Sequence, residues 1–147
     1  MTFQRVELYA PEAYWALSPQ EKSRYTNGCG VLGLVPDSLL GCDIREACNI
    51  HDYMWRTGTT HEDMVEGNRV FLNNMLRLVE AHASCKDPDG FWRAALALLT
   101  TWKCRLLRGI RRHMAVGYYN AVTDLGGPVY WAGKNPSENT KTVPLVS

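Results

Sequence analysis

The sequence predicts a mainly α fold, and three observations support this prediction. Four segments of the 147-residue chain have the capping residues and apolar periodicity of helices, and no segment shows the alternation typical of a long strand. The length is that of one domain, and 46% hydrophobic against 21% charged residues is enough to build a core. A formal net charge of +1 argues against a general nucleic-acid-binding protein, so we expect no nucleic-acid partner.

The first predicted helix precedes a glycine-rich loop. Ser18 followed by Pro19 is a typical helix start, and this helix is predicted to end near Tyr25. Residues 27–41 (NGCGVLGLVPDSLLG) then contain four glycines and one proline. A loop of this length inside a compact domain is usually functional.

Three further helices are predicted after the loop. The second covers about 43–56, and Asp43 stands three residues before a glutamate, which is the spacing of a capping box. The third covers about 60–83 and the fourth about 91–122, with a break expected near Gly117. From residue 126 the composition shifts to Pro, Gly, Asn and Thr, so we predict a single domain over 1–125 and an irregular C-terminal arm over 126–147, partly held by Tyr130 and Trp131.

The second and third predicted helices each carry one polar residue on an apolar face. On a helical wheel His51 lies among Ile44, Ala47, Cys48, Met54 and Trp55, while Arg45, Glu46, Asn49 and Tyr53 lie opposite. Asn68 lies in the middle of the face formed by Met64, Phe71, Leu72, Met75, Leu78 and Val79. Since helices joined by a short turn pack antiparallel, His51 and Asn68 are expected to hydrogen-bond to each other. Either they merely satisfy each other, or Asn68 fixes the imidazole tautomer and leaves the other ring nitrogen as a general base.

Asp52 lies at the edge of the same face and is expected to point toward the segment that covers the pair, for which the glycine-rich loop is the nearest candidate. Glycines allow backbone carbonyls to converge on one point, and carbonyls together with one carboxylate are ligands that suit calcium. The alternative is that Asp52 is an ordinary solvated charge.

Two motifs within these segments resemble the calcium-dependent phospholipase A2 superfamily. They are Gly28-Cys29-Gly30 in the loop and Cys48-Asn49-Ile50-His51-Asp52 on the second helix, and the resemblance covers about residues 27–79. It implies a phospholipase A2-like fold in which two antiparallel core helices carry the active site, with a calcium loop and additional packing helices.

The resemblance also implies an activity and a cofactor. His51 would activate water for attack on the sn-2 acyl ester of a glycerophospholipid at a membrane or micelle surface. Asp52 would bind Ca²⁺ together with backbone oxygens of Gly28, Gly30 and Leu32. By the same analogy Cys29 pairs with Cys48. We expect a lipid-degrading hydrolase that acts outside the cytosol of the producing cell, although the N-terminus shows no cleavable signal peptide. Its oligomeric state is left open.

The chain departs from the family pattern at two positions. Asn68 stands where the family usually has an aspartate against the histidine, and an amide stabilises imidazolium less than a carboxylate would. Trp55 replaces a tyrosine, so part of the hydrogen-bond network is either missing or supplied elsewhere, with Tyr118 and Tyr119 as possible substitutes. A second disulfide between Cys85 and Cys104 would leave Cys42 unpaired.

The fourth helix has a basic side and an apolar side. The basic side carries Arg105, Arg108, Arg111 and Arg112, and the apolar side carries Leu99, Trp102, Leu106, Ile110 and Met114. This pattern is either a basic face for anionic lipid or, more commonly, a solvated side opposite a core side.

Two other functions are compatible with the same residues. The first is a catalytically weak or inactive lipid- or protein-binding module, which the neutral Asn68 favours. The second is a structural zinc site formed by Cys29, Cys42, Cys48 and His51, whose ligand types are acceptable but whose spacing is unusual.

Overall fold

The computed structural model describes residues 6–26, 37–82, 93–132 and 134. Within these ranges it is mainly helical, which confirms the predicted class. Its elements in chain order are α1 (Glu12–Ala16), α2 (Pro19–Tyr25), β1 (Ser38–Leu39), β2 (Cys42–Asp43), α3 (Arg45–Thr57), α4 (His61–His82), α5 (Arg93–Leu125) and α6 (Gly127–Trp131). None of the described helices is long and apolar enough to cross a membrane.

The start of α2 agrees with its sequence signal. The Ser18 hydroxyl accepts from the Glu21 N–H, and the Glu21 carboxylate accepts from the Ser18 N–H, so both halves of a capping box are present. The helix ends at Tyr25, as predicted.

The capping box predicted at the start of the second helix is wrong. Asp43 lies in β2, where it pairs with Ser38, and the residue that caps α3 is Ile44, which makes no side-chain cap bond. The Asp43 carboxylate accepts instead from the backbone and guanidinium of Arg45. Strand pairing therefore moves the helix start past Asp43.

A short antiparallel hairpin leads into α3. Leu40 and Gly41 form its turn with φ values of 47° and 83°, so a leucine occupies backbone space that normally favours glycine. The flanking Leu39 and Cys42 are fully buried. Arg111 of α5 holds the turn by donating to the carbonyls of Leu39 at 3.1 Å and Leu40 at 2.7 Å.

Helix α3 is buried on two faces rather than one. The first packs against α4, and the second, with Ile50 and Tyr53, packs against Tyr14 of α1. The prediction that Tyr53 lies on the polar side is therefore wrong, because the N-terminal segment covers that side of the helix. Asn74 of α4 fixes this segment by hydrogen bonds to both the N–H and the carbonyl of Tyr9.

A three-residue turn connects α3 to α4. The Asp63 carboxylate accepts from the N–H groups of Thr59 and Thr60, and the Thr60 hydroxyl accepts from the Asp63 N–H. Since Trp55 contacts Gly67 while His51, four residues earlier, contacts Phe71, four residues later, α4 runs antiparallel to α3. Phe71, Met75 and Val79 of α4 join the hairpin and α5 in the main core.

Helix α5 continues through Gly117, so the predicted break is absent. Both interpretations of its sequence placed the basic side away from the protein, and the structure differs from both. Arg111 is buried, and Arg108 and Arg112 form ion pairs with Glu80 of α4. Three residues of the predicted apolar side are exposed instead: Trp102, Leu106 and Ile110. Arg108, Arg111 and Arg112 face the protein because Glu80 and the hairpin carbonyls provide partners there, whereas Arg105 is exposed.

The C-terminal arm is not irregular throughout. Residues 127–131 form α6, and Tyr130 is buried with its hydroxyl donating to the Thr60 carbonyl at 2.7 Å. The Lys134 ammonium donates to the carbonyls of Trp55 and Gly58 at the end of α3. The expected role of Tyr130 in holding the arm is confirmed, while residues 133 and 135–147 lie outside the described ranges.

Candidate active site

His51 and Asn68 meet in the contact between α3 and α4. Both are buried, with 6% and 2% of their surfaces exposed, and His51 Nε2 lies 2.9 Å from Asn68 Oδ1. The hydrogen bond expected from the helix periodicity is therefore present.

Trp55 determines the orientation of the Asn68 amide and the tautomer of His51. Its indole Nε1, which can only donate, lies 2.9 Å from the same Oδ1 atom. That atom must then be the amide oxygen, so the His51 Nε2 facing it carries a proton. His51 Nδ1 is consequently the nitrogen with a lone pair, which is the atom that a general base requires.

The sequence did not show whether Trp55 takes part in the hydrogen bonds around His51 and Asn68. In the structure it does, by donating to Asn68. Trp55 lies four residues after His51 on the same face, which is the one sequence signal that could have identified it. Thr123 of α5, which the sequence did not indicate, accepts from Asn68 Nδ2 at 3.4 Å. Tyr118 and Tyr119 make no hydrogen bond to this pair in the part of the chain that the structure describes.

Aromatic rings surround the imidazole. Phe71 stacks on His51 with ring centroids 4.7 Å apart, and the Trp55 ring lies 4.5 Å away on another side. Trp55 is covered in turn by Tyr130, which meets it edge to face at 5.7 Å. The pair therefore lies in an apolar seam in which hydrogen bonds are strengthened and charge is disfavoured.

Burial lowers the pKa of His51 from 6.5 to about 4, and the hydrogen bond to Asn68 opposes this shift. The imidazole is consequently neutral at pH 7, as a general base must be. Asn68 carries no charge, so it orients the ring without providing a carboxylate to stabilise imidazolium.

Two glycines make room for the Trp55 indole. A Cβ on Gly67 would lie 3.1 Å from Trp55 Cδ1, and a Cβ on Gly126 would lie 2.3 Å from Trp55 Cη2. A side chain at Gly126 would also come within 2.2 Å of the Val122 carbonyl oxygen. Close backbone approach on two sides therefore holds Trp55 in its hydrogen-bonding position.

Asp52 follows His51 on α3 and is partly buried. The other three predicted calcium ligands, Gly28, Gly30 and Leu32, lie outside the described residues. Over 6–26, 37–82, 93–132 and 134 no three His, Cys, Asp or Glu side chains form a group that could hold a metal. One carboxylate together with backbone oxygens is a different donor set, and it suits calcium by its chemistry.

The same result weighs against the zinc alternative, since Cys42, Cys48 and His51 form no such cluster. Cys42 is a free, buried thiol, and burial raises its pKa. Cys48 and Cys104 are each disulfide-bonded, so the Cys48 sulfur is not available as a thiolate. The predicted pairings with Cys29 and Cys85 involve residues outside the described ranges.

No protein-family model matches this chain, and no match was found among curated proteins or solved structures.

Proposed function

We propose that this protein is a phospholipase A2-type enzyme that hydrolyses the sn-2 acyl ester of glycerophospholipids in the presence of calcium, and that its helices form a phospholipase A2-like fold. The observation that carries the proposal is the bonding of His51, Asn68 and Trp55. Two donors on one amide oxygen place the proton of neutral His51 on Nε2, so Nδ1 is its basic atom.

The proposed chemical role of His51 follows from this tautomer. Nδ1 takes a proton from a water molecule as the water oxygen attacks the ester carbonyl, and the proton is then given to the departing alkoxide oxygen. Asn68 keeps the imidazole ring in place while the ring gains and then loses a positive charge. Phe71 and Trp55 exclude bulk water from the side of the ring that faces Asn68.

Calcium would be held by Asp52 with the backbone oxygens of Gly28, Gly30 and Leu32. When bound, it would polarise the ester carbonyl and stabilise negative charge on its oxygen. The substrate would be met at a phospholipid membrane or micelle surface, outside the cytosol of the producing cell.

Asn68 also favours a second candidate function. Transient imidazolium in a dry seam without a carboxylate partner is costly, so hydrolysis is expected to be slower than with an aspartate at this position. A protein of this design could instead act as a lipid- or protein-binding module with little or no turnover.

The test is hydrolysis of fluorescent phosphatidylcholine and phosphatidylglycerol vesicles with calcium and with a chelator. We expect His51→Gln to lose activity by at least about 100-fold, because general-base catalysis typically contributes that much. His82→Gln, which changes an exposed histidine at the end of α4, is the matched control and should keep full activity. Equal rates for the wild type and His51→Gln, or with and without chelator, would exclude the enzymatic proposal.

A change at Asn68 separates the enzyme from the binding module. Asn68→Asp keeps an oxygen acceptor for His51 and Trp55 and adds a charge that stabilises imidazolium, so the rate should stay the same or rise. Asn68→Leu leaves two buried N–H donors without an acceptor and should abolish activity. A leucine variant as active as the wild type would show that this hydrogen bond has no role in turnover.

A further inference from the structure

Helix α5 presents an apolar stripe to solvent. Trp102, Leu106 and Ile110 follow at intervals of four residues, so they lie on one face of the helix. They are 63%, 47% and 41% exposed, respectively. Large apolar side chains grouped in this way on a protein surface usually mark a contact site.

The charge on this helix indicates what the stripe contacts. Six Lys and Arg residues and a single acidic residue, Asp124, lie in the 33 residues of α5. Arg108, Arg111 and Arg112 are engaged by Glu80 and the hairpin. Lys103 and Arg105, which neighbour Trp102, are exposed, and neither takes part in an ion pair within the described residues.

We propose that the Trp102, Leu106 and Ile110 face of α5, flanked by Lys103 and Arg105, docks this protein onto the surface of an anionic lipid bilayer. Apolar side chains enter the boundary between head groups and acyl chains while the cations meet the lipid phosphates. Trp102 suits such a boundary, since an indole has an apolar body and one polar N–H.

A second copy of the chain fits this face less well. A two-fold symmetric contact over the stripe would bring Lys103 and Arg105 of both copies together and leave their charges without partners. The choice of a lipid over an acidic protein rests on the proposed function, because an enzyme for phospholipids must meet its substrate at an interface.

The test is sedimentation with phosphatidylglycerol vesicles and with phosphatidylcholine vesicles, carried out in chelator so that calcium makes no contribution. The wild type should bind the anionic vesicles more tightly. The double variant Leu106→Ser/Ile110→Ser should lower that partition coefficient by on the order of tenfold, because it removes most of the inserted apolar surface. Lys103→Gln/Arg105→Gln should reduce the preference for phosphatidylglycerol.

Leu125→Ser is the matched control. Leu125 is 73% exposed on the same helix, but it lies about 22 Å along the axis beyond Ile110, outside the proposed face, so its loss should leave binding unchanged. The blue shift of tryptophan emission on vesicle binding should also disappear in Trp102→Phe. Circular dichroism of each variant checks that the fold is intact.

Three results would overturn the docking proposal. They are equal binding of the wild type to both vesicle types, binding that the Leu106→Ser/Ile110→Ser variant retains in full, and concentration-dependent self-association of the wild type that this variant abolishes. Binding by His51→Gln at the wild-type level without hydrolysis supports the docking face independently of catalysis. If the wild type binds anionic vesicles but never hydrolyses lipid, only the proposed function fails.

Discussion

At the scale of single residues, burial gives His51 an unusual acid–base behaviour. Its pKa falls to about 4 because the folded protein holds the imidazole away from water, whereas the unfolded chain returns it to about 6.5. The unfolded state therefore binds the proton more tightly than the folded state. The stability that His51 contributes is fully present above pH 6.5 and is lost as the pH falls toward 4.

We predict that the free energy of unfolding of the wild type falls by up to roughly 3 kcal/mol from this one group between pH 7 and pH 4. Urea unfolding at a series of pH values measures it. His51→Gln has no such proton to bind, so its stability should fall less over the same range, and the difference between the two curves isolates His51. Parallel curves would show that His51 is accessible to protons in the folded state.

The hydrogen bonds of Asn68 show which contacts helix periodicity can predict and which it cannot. His51 and Asn68 were predicted to pair because each lies on one helix whose apolar face is evident from its own sequence. The hydrogen bond from Trp55 to Asn68 depends on how α3 and α4 are shifted and rotated relative to each other. Only the three-dimensional structure gives that arrangement. Thr123 comes from a third helix, and nothing in its neighbourhood in sequence points to Asn68.

At the scale of elements, Arg111 connects α5 to the hairpin that precedes α3. Its buried guanidinium donates to two successive carbonyls, and the second belongs to Leu40, whose φ of 47° is unfavourable for leucine. The hairpin in turn sets the start of α3, since the Ile44 N–H donates to the Asp37 carbonyl. Arg111 therefore positions the helix that carries His51.

We predict that Arg111→Met lowers the free energy of unfolding by about 2–4 kcal/mol, because two charged hydrogen bonds are lost and the Leu39 carbonyl is left buried. Arg105→Met removes an exposed arginine from the same helix and should change stability by less than about 0.5 kcal/mol. Denaturant unfolding at pH 7 compares the two variants. Similar losses in both would mean that the hairpin does not depend on Arg111.

Contacts of α5 with α4 and with the hairpin also determine how α5 is rotated about its axis. A wheel separates its arginines from its apolar residues but does not say which side faces the protein. Glu80 and the hairpin carbonyls bind three of the four arginines, Arg108, Arg111 and Arg112. The side with Trp102, Leu106 and Ile110 is consequently left exposed. A basic side is normally the solvated one, so neither interpretation from the sequence anticipated this arrangement.

At the scale of the whole molecule, the C-terminal segment closes over the candidate site. Gly126 allows the chain to pass against the Trp55 indole, Tyr130 packs on the same ring, and Lys134 reaches the end of α3. The segment thus supports Trp55 from the side away from Asn68. Residues more than 70 positions apart in sequence hold one side chain in place.

We predict that Gly126→Ala lowers the free energy of unfolding by at least about 2 kcal/mol, because the added methyl group would collide with the Val122 carbonyl and the Trp55 ring. Gly127→Ala is the matched control, since a Cβ there meets nothing within 4 Å. Thermal unfolding of both variants measures the difference, and vesicle hydrolysis shows whether Trp55 has moved. Equal stability of the two alanine variants would mean that the segment does not pack tightly on Trp55.

The sequence by itself determined the helical class, the start of α2 at Ser18 and the meeting of His51 with Asn68, because capping and 3.6-residue periodicity depend on neighbours in the chain. The tertiary structure alone decided that Tyr53 is buried, that residues 127–131 are helical and that α5 turns Arg108, Arg111 and Arg112 toward the protein. Each of these outcomes depends on a partner from a distant segment: Tyr14 for Tyr53, Thr60 for Tyr130 and Glu80 for Arg112. A one-dimensional pattern records which side chains can be buried, but burial itself is settled by the surface that comes to cover them.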